Sequence, residues 1–183
     1  MNVWLASGSP RRRQLLQWVG CAVEGTAPQV DETRHPDEPP VAYAQRVARD
    51  KAQAAPRGEL PVVAADTVVH LGHRVYGKPA DRQEARQILE TLSGQWHQVT
   101  TGVCVGFRDQ WSTFAVTTRV RFRTLSIAEI EAYLDTPEPY DKAGAYGIQG
   151  RAGAFVAQVD GSWTNVMGLP MEATLAALHQ VRS

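Results

Sequence analysis

Residues 62–69, Val62-Val63-Ala64-Ala65-Asp66-Thr67-Val68-Val69, form a short apolar run with one carboxylate in its middle, bounded by Pro61 and Gly72. Its length and its valines predict a strand rather than a helix. Without polar alternation, the strand is expected to be covered on both faces. A carboxylate there is costly unless it is paired, metal-bound or protonated. Asp66 is then either a strand-end residue that caps a turn or a carboxylate held rigidly at the lip of a cleft. Val68 and Val69 carry the run past it and favour the second reading.

The rest of the chain falls into alternating strand and helix patterns. Residues 2–6 predict a buried strand. A helix follows, with Ser9 as N-cap, Pro10 as first residue, Leu15, Leu16 and Val19 on its apolar face and Gly20 as its stop. Residues 21–26 predict a second strand, and 28–40 a loop rich in proline and acids. Residues 41–55 predict a helix whose stripe is Ala44, Val47, Ala48, Ala52 and Ala55, with Lys51 on the same stripe. After the 62–69 strand, 72–77 reads as a turn and Lys78 as a loop residue. Asp81 then caps a helix with Glu84 three residues on and a stripe of Ala85, Ile88, Leu89 and Leu92. Residues 96–106 and 111–124 predict a hairpin turning at Arg108-Asp109-Gln110. Ser126 and Glu129 form a capping box for a helix through Leu134. Gly144, Gly147, Gly150 and Gly153 recur every third residue, which predicts a shaped loop where backbone approaches something closely. Gln149 is its clear hydrogen-bonding side chain. Residues 155–159 predict a strand, 161–168 a turn and short strand, and Pro170 opens a last helix with Met171, Leu175 and Leu178 inward. The fold expected is α/β, in a single domain over 1–183.

Composition narrows the partners. The formal net charge is zero, which argues against broad electrostatic binding of nucleic acid or an anionic membrane surface. Only Lys51, Lys78 and Lys142 among the 19 basic residues are lysines. Cys21 and Cys104 form no close-spaced motif, which excludes a zinc knuckle and argues against a disulfide framework. The five histidines are scattered, and His70 with His73 is weak as a metal motif. No signal peptide is expected at the N-terminus and no apolar run approaches membrane-spanning length, so a cytoplasmic protein is expected.

Several of these residues carry candidate chemistry. Arg11, Arg12 and Arg13 crowd a helix start, where the macrodipole disfavours cations. With Ser7, Ser9 and the free N–H groups they describe either an anion site or a solvated basic turn. The glycine-lysine pattern of a P-loop is absent. Lys51 either snorkels to the helix edge or meets an anion. Asp31 and Glu32 are solvated loop acids unless the loop folds over the anion site, where they could help hold a divalent cation. Ser7, Arg11, Arg12, Glu32, Lys51, Asp66 and Lys78 together supply cations for several phosphates and carboxylates for one or two divalent ions. An acid inside an apolar strand can act as general base. The combination suggests metal-assisted attack of water on a phosphoanhydride. The residues alone do not name the substrate.

A resemblance does. Nearly end to end, the chain resembles the Maf family of nucleoside triphosphate pyrophosphatases. The likeness runs through Leu5-Ala6-Ser7-Gly8-Ser9-Pro10-Arg11-Arg12, Tyr43 to Lys51-Ala52, Ala65-Asp66-Thr67-Val68-Val69 and Gly77-Lys78-Pro79. It continues in Leu92-Ser93-Gly94 with His97, Thr101-Gly102-Val103 and Glu138-Pro139. It closes in Asp141-Lys142-Ala143-Gly144-Ala145-Tyr146-Gly147-Ile148-Gln149-Gly150 and Asn165-Val166-Met167-Gly168-Leu169-Pro170.

The resemblance implies a two-lobed mixed sheet with flanking helices around a deep groove, similar to the inosine-triphosphatase fold. It implies cleavage of dTTP and UTP to the nucleoside monophosphate and pyrophosphate, a house-cleaning role against modified nucleotides, and a divalent cation (Mg²⁺, Mn²⁺ or Co²⁺). Asp66 would be the proton acceptor, Ser7, Arg12, Lys51 and Lys78 would hold phosphates, and Glu32 with Asp66 would hold the metal. Arg11, Thr67 and Gln149 would be the base-selective positions. Trp163 departs from the tyrosine often found after Gly-Ser in the family, which leaves CTP or modified pyrimidines open. A within-family alternative is 7-methyl-GTP or another nucleotide. An alternative of another class is a regulatory binding protein acting in septum formation, as the family's name suggests. Exposed tryptophan or valine surface could support a homodimer. One structural demand also follows. Strand alternation turns Thr67 away from Asp66, so if one senses the base while the other handles the water, the backbone between them must break the regular pleat.

Overall fold

A computed structural model describes residues 1–56 and 58–183. The strands form one seven-stranded mixed sheet, and the chain divides into two compact units. The first comprises Met1–Thr67, Thr101–Val116 and Gly168–Ser183, and the second Val68–Thr100 and Thr117–Met167.

In the first unit, β1 (Asn2–Leu5) lies between and parallel to β2 (Ala22–Glu24) and the start of β3 (Val62–Leu71). Helix α1 (Pro10–Trp18) links β1 to β2, and α2 (Pro40–Gln53) precedes β3. Ala48, Ala52 and Ala55 pack with Ala6, Val62, Ala64 and Cys104 in one buried cluster, with Trp4 at its edge. Small side chains on both sides let the helix lie close to the sheet. The closest approach is at Gly102 on β5 (Trp96–Phe107), where an added Cβ would stand 2.3 Å from the carbonyl carbon and oxygen of Ala44.

Two sequence expectations for α1 change. Ser9 has the extended backbone of an N-cap, but its side chain caps nothing. Ser7 Oγ instead accepts from the Ser9 N–H at 3.3 Å. Val19 lies past the end of the helix and is exposed, and the inward face is Arg12, Leu15 and Leu16. The spacing i, i+3, i+4 holds, but its first position is a cation.

The second unit holds the rest of β3, the hairpin partner β4 (Arg74–Tyr76), helix α3 (Arg82–Leu92) and the ends of β5 and β6 (Gln110–Phe122). It also holds α4 (Ile127–Leu134), β7 (Val156–Asp160) and the short helix α5 (Trp163–Met167). The segment expected as a turn at 72–77 therefore contains a strand: Gly72 at φ +58 lets the chain reverse, and Val75 pairs with His70. The segment expected as a turn and short strand at 161–168 contains a helical turn. Ser162 Oγ accepts from the Asn165 N–H, and buried Asn165 donates to the Val99 carbonyl and Thr118 Oγ1. Short apolar runs do not separate the two states by pattern. The Asp81 cap and the Ser126–Glu129 capping box form as expected. The last helix, α6 (Met171–Gln180), returns to the first unit and buries Met171, Thr174, Ala177 and Leu178.

The glycine-repeat segment is a series of short 3-10 turns (Glu138–Asp141, Ala143–Ala145 and Arg151–Phe155), the first and last of which meet at one carboxylate. Glu138 accepts from the Tyr133 hydroxyl at 3.1 Å and the Arg151 N–H at 3.0 Å. A Cβ at Gly150 would stand 2.2 Å from Glu138 Oε1, which is the close approach the repeat implied. Beneath it, His97, Phe122, Tyr146, Phe155 and Tyr133 form a chain of edge-to-face rings.

Two outcomes follow. Gly102→Ala drives a methyl into the α2 backbone and is expected to lower stability by about 1–3 kcal/mol or more, read as a shifted urea midpoint. Burial pushes His97 down from 6.5 to about 4. The unfolded chain thus takes up this proton at higher pH than the folded one, so the stability difference is fully present above pH 6.5 and is lost as pH falls towards 4. The loss attributable to His97 is expected to reach about 3 kcal/mol. Urea midpoints across that range, with His97→Gln lacking this part of the slope, check it.

Candidate active site

Helix α1 supplies three arginines, and the fold gives each a different place. Arg13 turns to the strand edge and donates to the carbonyls of Val23 and Gly25. Arg11 is half-buried. Arg12 is buried beside Leu15 and Leu16. Its Nε donates to the Gly168 carbonyl at 2.7 Å, Nη1 to Ser7 Oγ at 2.8 Å and Nη2 to Thr67 Oγ1 at 3.0 Å. Thr67 Oγ1 is itself 2.9 Å from Thr101 Oγ1. All three acceptors are neutral. Desolvation pushes the guanidinium below its ordinary value, the Asp66 charge pulls it back, Arg11 lowers it and Glu32 raises it. An arginine keeps its charge under such conditions. It is a cation oriented by neutral oxygens, with N–H groups to spare for an anion.

The second cation is Lys51 on the buried stripe of α2. Its Nζ lies 2.9 Å from Asp66 Oδ1 and 2.9 Å from Glu32 Oε2. Of the two readings for Lys51, meeting an anion is the one the fold adopts, and Asp66 is a paired carboxylate inside a continuous strand rather than a cap at its end. The acid loop does fold over this point. The Tyr43 hydroxyl donates to the Glu32 carbonyl at 2.8 Å, and Asp31 accepts from the Thr33 N–H, turned into its own loop. Burial, then the charges of Asp66 and Glu32, push the Tyr43 phenol above its ordinary value, so it is a donor at neutral pH.

Strand β3 runs unbroken through Asp66 and Thr67. The pleat therefore does not break where a division of labour between them required it. Asp66 faces α2 and Thr67 faces α1, on opposite sides of the sheet. Thr67 is joined to the Arg12 fork.

Ser7, Arg12 and Thr67 thus form one cluster in the first unit and Glu32, Lys51 and Asp66 another, and the charges of Asp66 and Glu32 reach Arg12. Lys78 and Gln149 belong to the second unit, and both are exposed. Sequence reasoning missed the Gly168 carbonyl, Thr101 and Tyr43. The first leaves no mark in a side-chain pattern. Thr101 and Tyr43 lie in family-like stretches, where nothing local marks them as partners of Thr67 and Glu32.

Among the described residues, no group of three or more His, Cys, Asp or Glu side chains gathers as a ready-made metal cage. Two carboxylates do converge, Glu32 and Asp66, each with one oxygen on Lys51. Mg²⁺ is commonly held by one or two carboxylates, with waters and substrate phosphates completing the octahedron. The two carboxylates fit a hard divalent cation. No helix among the described residues is long and apolar enough to cross a membrane.

Comparison with known proteins gives a consistent picture. Residues 2–181 match the Maf-like protein family. The chain is 46% identical to the dTTP/UTP pyrophosphatase of Chromobacterium violaceum, over 98% of this chain and 94% of that one. It is 51% identical to the dTTP/UTP pyrophosphatase of Anaeromyxobacter dehalogenans, over 96% and 92%. In fold it is similar to the Ham1 protein of Staphylococcus aureus, with a TM-score of 0.56 over 98% of this chain and 99% of that one at 14% identity.

Arg12→Lys keeps the charge and loses the planar fork. Inorganic tripolyphosphate is expected to bind at least about tenfold more weakly, since a hydrogen bond to a charged group is worth roughly 1.5–3 kcal/mol. Isothermal titration calorimetry checks this.

Proposed function

The chain belongs to the Maf-like protein family, and from that premise we propose that it hydrolyses pyrimidine nucleoside triphosphates, dTTP and UTP, to the monophosphate and pyrophosphate. The observation that carries this reading is the pair of buried cations, Arg12 and Lys51, approached by one strand that brings a carboxylate to the second. Buried cations oriented by fixed oxygens suit a triphosphate, whose charge completes them. The relatives named above for dTTP and UTP support the choice of bases.

In this reading Ser7, Arg12, Lys51 and Lys78 hold the phosphates. Asp66 takes a proton from water as its oxygen bonds to the α-phosphorus. The bond from that phosphorus to the α–β bridging oxygen breaks, and pyrophosphate leaves with the electron pair. Glu32 and Asp66 would hold the divalent cation (Mg²⁺, Mn²⁺ or Co²⁺), whose chemistry is to polarise a phosphoryl oxygen and neutralise developing charge. Arg11 and Gln149 select the base, and Thr67 contributes through the Arg12 fork that its hydroxyl holds. A nucleotide-pool enzyme of this kind works in the cytoplasm, with house-cleaning of modified pyrimidines as its service. Trp163, exposed at the start of α5, is a larger ring than the family's tyrosine, which keeps CTP and modified pyrimidines among the substrates to test. A homodimer belongs to the same proposal, through the exposed Trp18 and Val19.

Pyrophosphate release from dTTP, UTP, CTP and 7-methyl-GTP with Mg²⁺ or Mn²⁺ tests it. Turnover is expected with dTTP and UTP, and Asp66→Asn is expected to lose at least about 10²-fold in kcat, the usual scale for a general base. Free phosphate as product would overturn the bond assignment, and faster turnover of 7-methyl-GTP the base assignment. Nucleotide binding without turnover would leave a sensor in place of an enzyme.

A further inference from the structure

Glu32 is the one carboxylate of the assembled site that sits on a loop, and its side chain is half exposed. Nothing in its own segment would hold it at Lys51. The polar edge of α2 does. Tyr43 donates to the Glu32 backbone carbonyl at 2.8 Å. One turn on, Arg46 Nη2 donates to the Thr33 carbonyl at 2.8 Å. The same guanidinium grips Glu38 with two bonds, Nε to Oε1 at 2.7 Å and Nη2 to Oε2 at 3.0 Å. Glu38 closes the loop on itself: its Oε2 accepts from the His35 N–H at 3.1 Å, and its carbonyl accepts from Arg34. Arg46 also stacks over the Tyr43 ring at 5.6 Å. One turn further, Lys51 meets the Glu32 carboxylate itself.

We propose that Tyr43 and Arg46 are positioning residues that set Glu32 beside Asp66, so that contacts outside the site govern its affinity for a divalent cation. The inference rests on the proposed function only in taking Glu32 and Asp66 as the metal's carboxylates. The physical case is entropic. A loop acid free to move must be ordered at each binding event, whereas one fixed by two backbone anchors and a bidentate ion pair is ordered on folding. Supporting contacts of this kind typically change metal affinity by about 10–100-fold. The bidentate Arg46–Glu38 pair suits the task because its planar fork fixes direction as well as distance.

The test reads binding, not turnover. Free Mn²⁺ is followed by electron paramagnetic resonance in the presence of α,β-imido-dUTP, which is not cleaved at the bond in question. Tyr43→Phe and Arg46→Gln are each expected to weaken Mn²⁺ by about tenfold or more. Tyr43→Phe combined with Glu32→Gln is expected to bind Mn²⁺ no more weakly than Glu32→Gln alone, because both act through one carboxylate. In metal-free protein, the first tryptic cut after Arg34 is expected to come faster in both single variants than in the wild type. Unchanged Mn²⁺ affinity in both variants, losses that multiply in the double variant, or an unchanged cut at Arg34 would each overturn the proposal. Tyr43→Phe removes one oxygen and keeps the ring, so it tests the contact without opening the fold. Wild-type Mn²⁺ binding without any nucleotide turnover would count against the proposed function and leave the positioning result standing.

Discussion

Strand β3 cannot turn two consecutive side chains to the same side, and the assembled site is built on that constraint. Because the pleat continues through Asp66 and Thr67, the carboxylate goes to α2 and the hydroxyl to α1. Each face then meets one buried cation. On one side the cation is matched by charge, Lys51 between Asp66 and Glu32. On the other it is matched by dipoles, Arg12 among the oxygens of Ser7, Thr67 and Gly168. A buried guanidinium without a carboxylate partner is the costlier arrangement. It suits the proposed role of Arg12 as a partner for phosphate.

The acid loop illustrates how a flexible segment becomes part of a precise site. Its proline and acid content describes a solvated connection. Yet Tyr43 and Arg46 hold the carbonyls of Glu32 and Thr33, Arg46 also grips Glu38, and Lys51 meets the Glu32 carboxylate. Exposed ion pairs are individually weak, but here the anchors act on backbone as well as on side chains, and so define a path for the chain.

The glycine-repeat segment in the second unit follows the same principle with a different instrument. There the fixed point is one carboxylate, Glu138, and the backbone is bent around it. The repeat was legible as a demand for close approach, and Gly150 against Glu138 is that approach. What it approaches was not legible, because Glu138 stands twelve positions earlier as an ordinary loop acid. Short segments were misjudged for a related reason. Residues 72–77 and 161–168 are too brief for periodicity to speak, and pairing with His70 or the buried bonds of Asn165 decided them.

What the chain's own pattern determined was the order and type of its longer elements, the caps at Asp81 and Ser126, the carboxylate in the central strand and the lysine on a buried stripe. These are local properties, set by backbone periodicity and by hydrogen bonds three or four residues apart. Tertiary structure decided the partners. Arg12 and not its neighbours turned inward, Val19 fell outside its helix, and Thr67 joined Arg12 instead of Asp66. For Arg12 and Thr67 the deciding atoms lie far along the sequence, such as the Gly168 carbonyl for Arg12. Periodicity says which face a side chain occupies, and only the packed chain says what stands opposite.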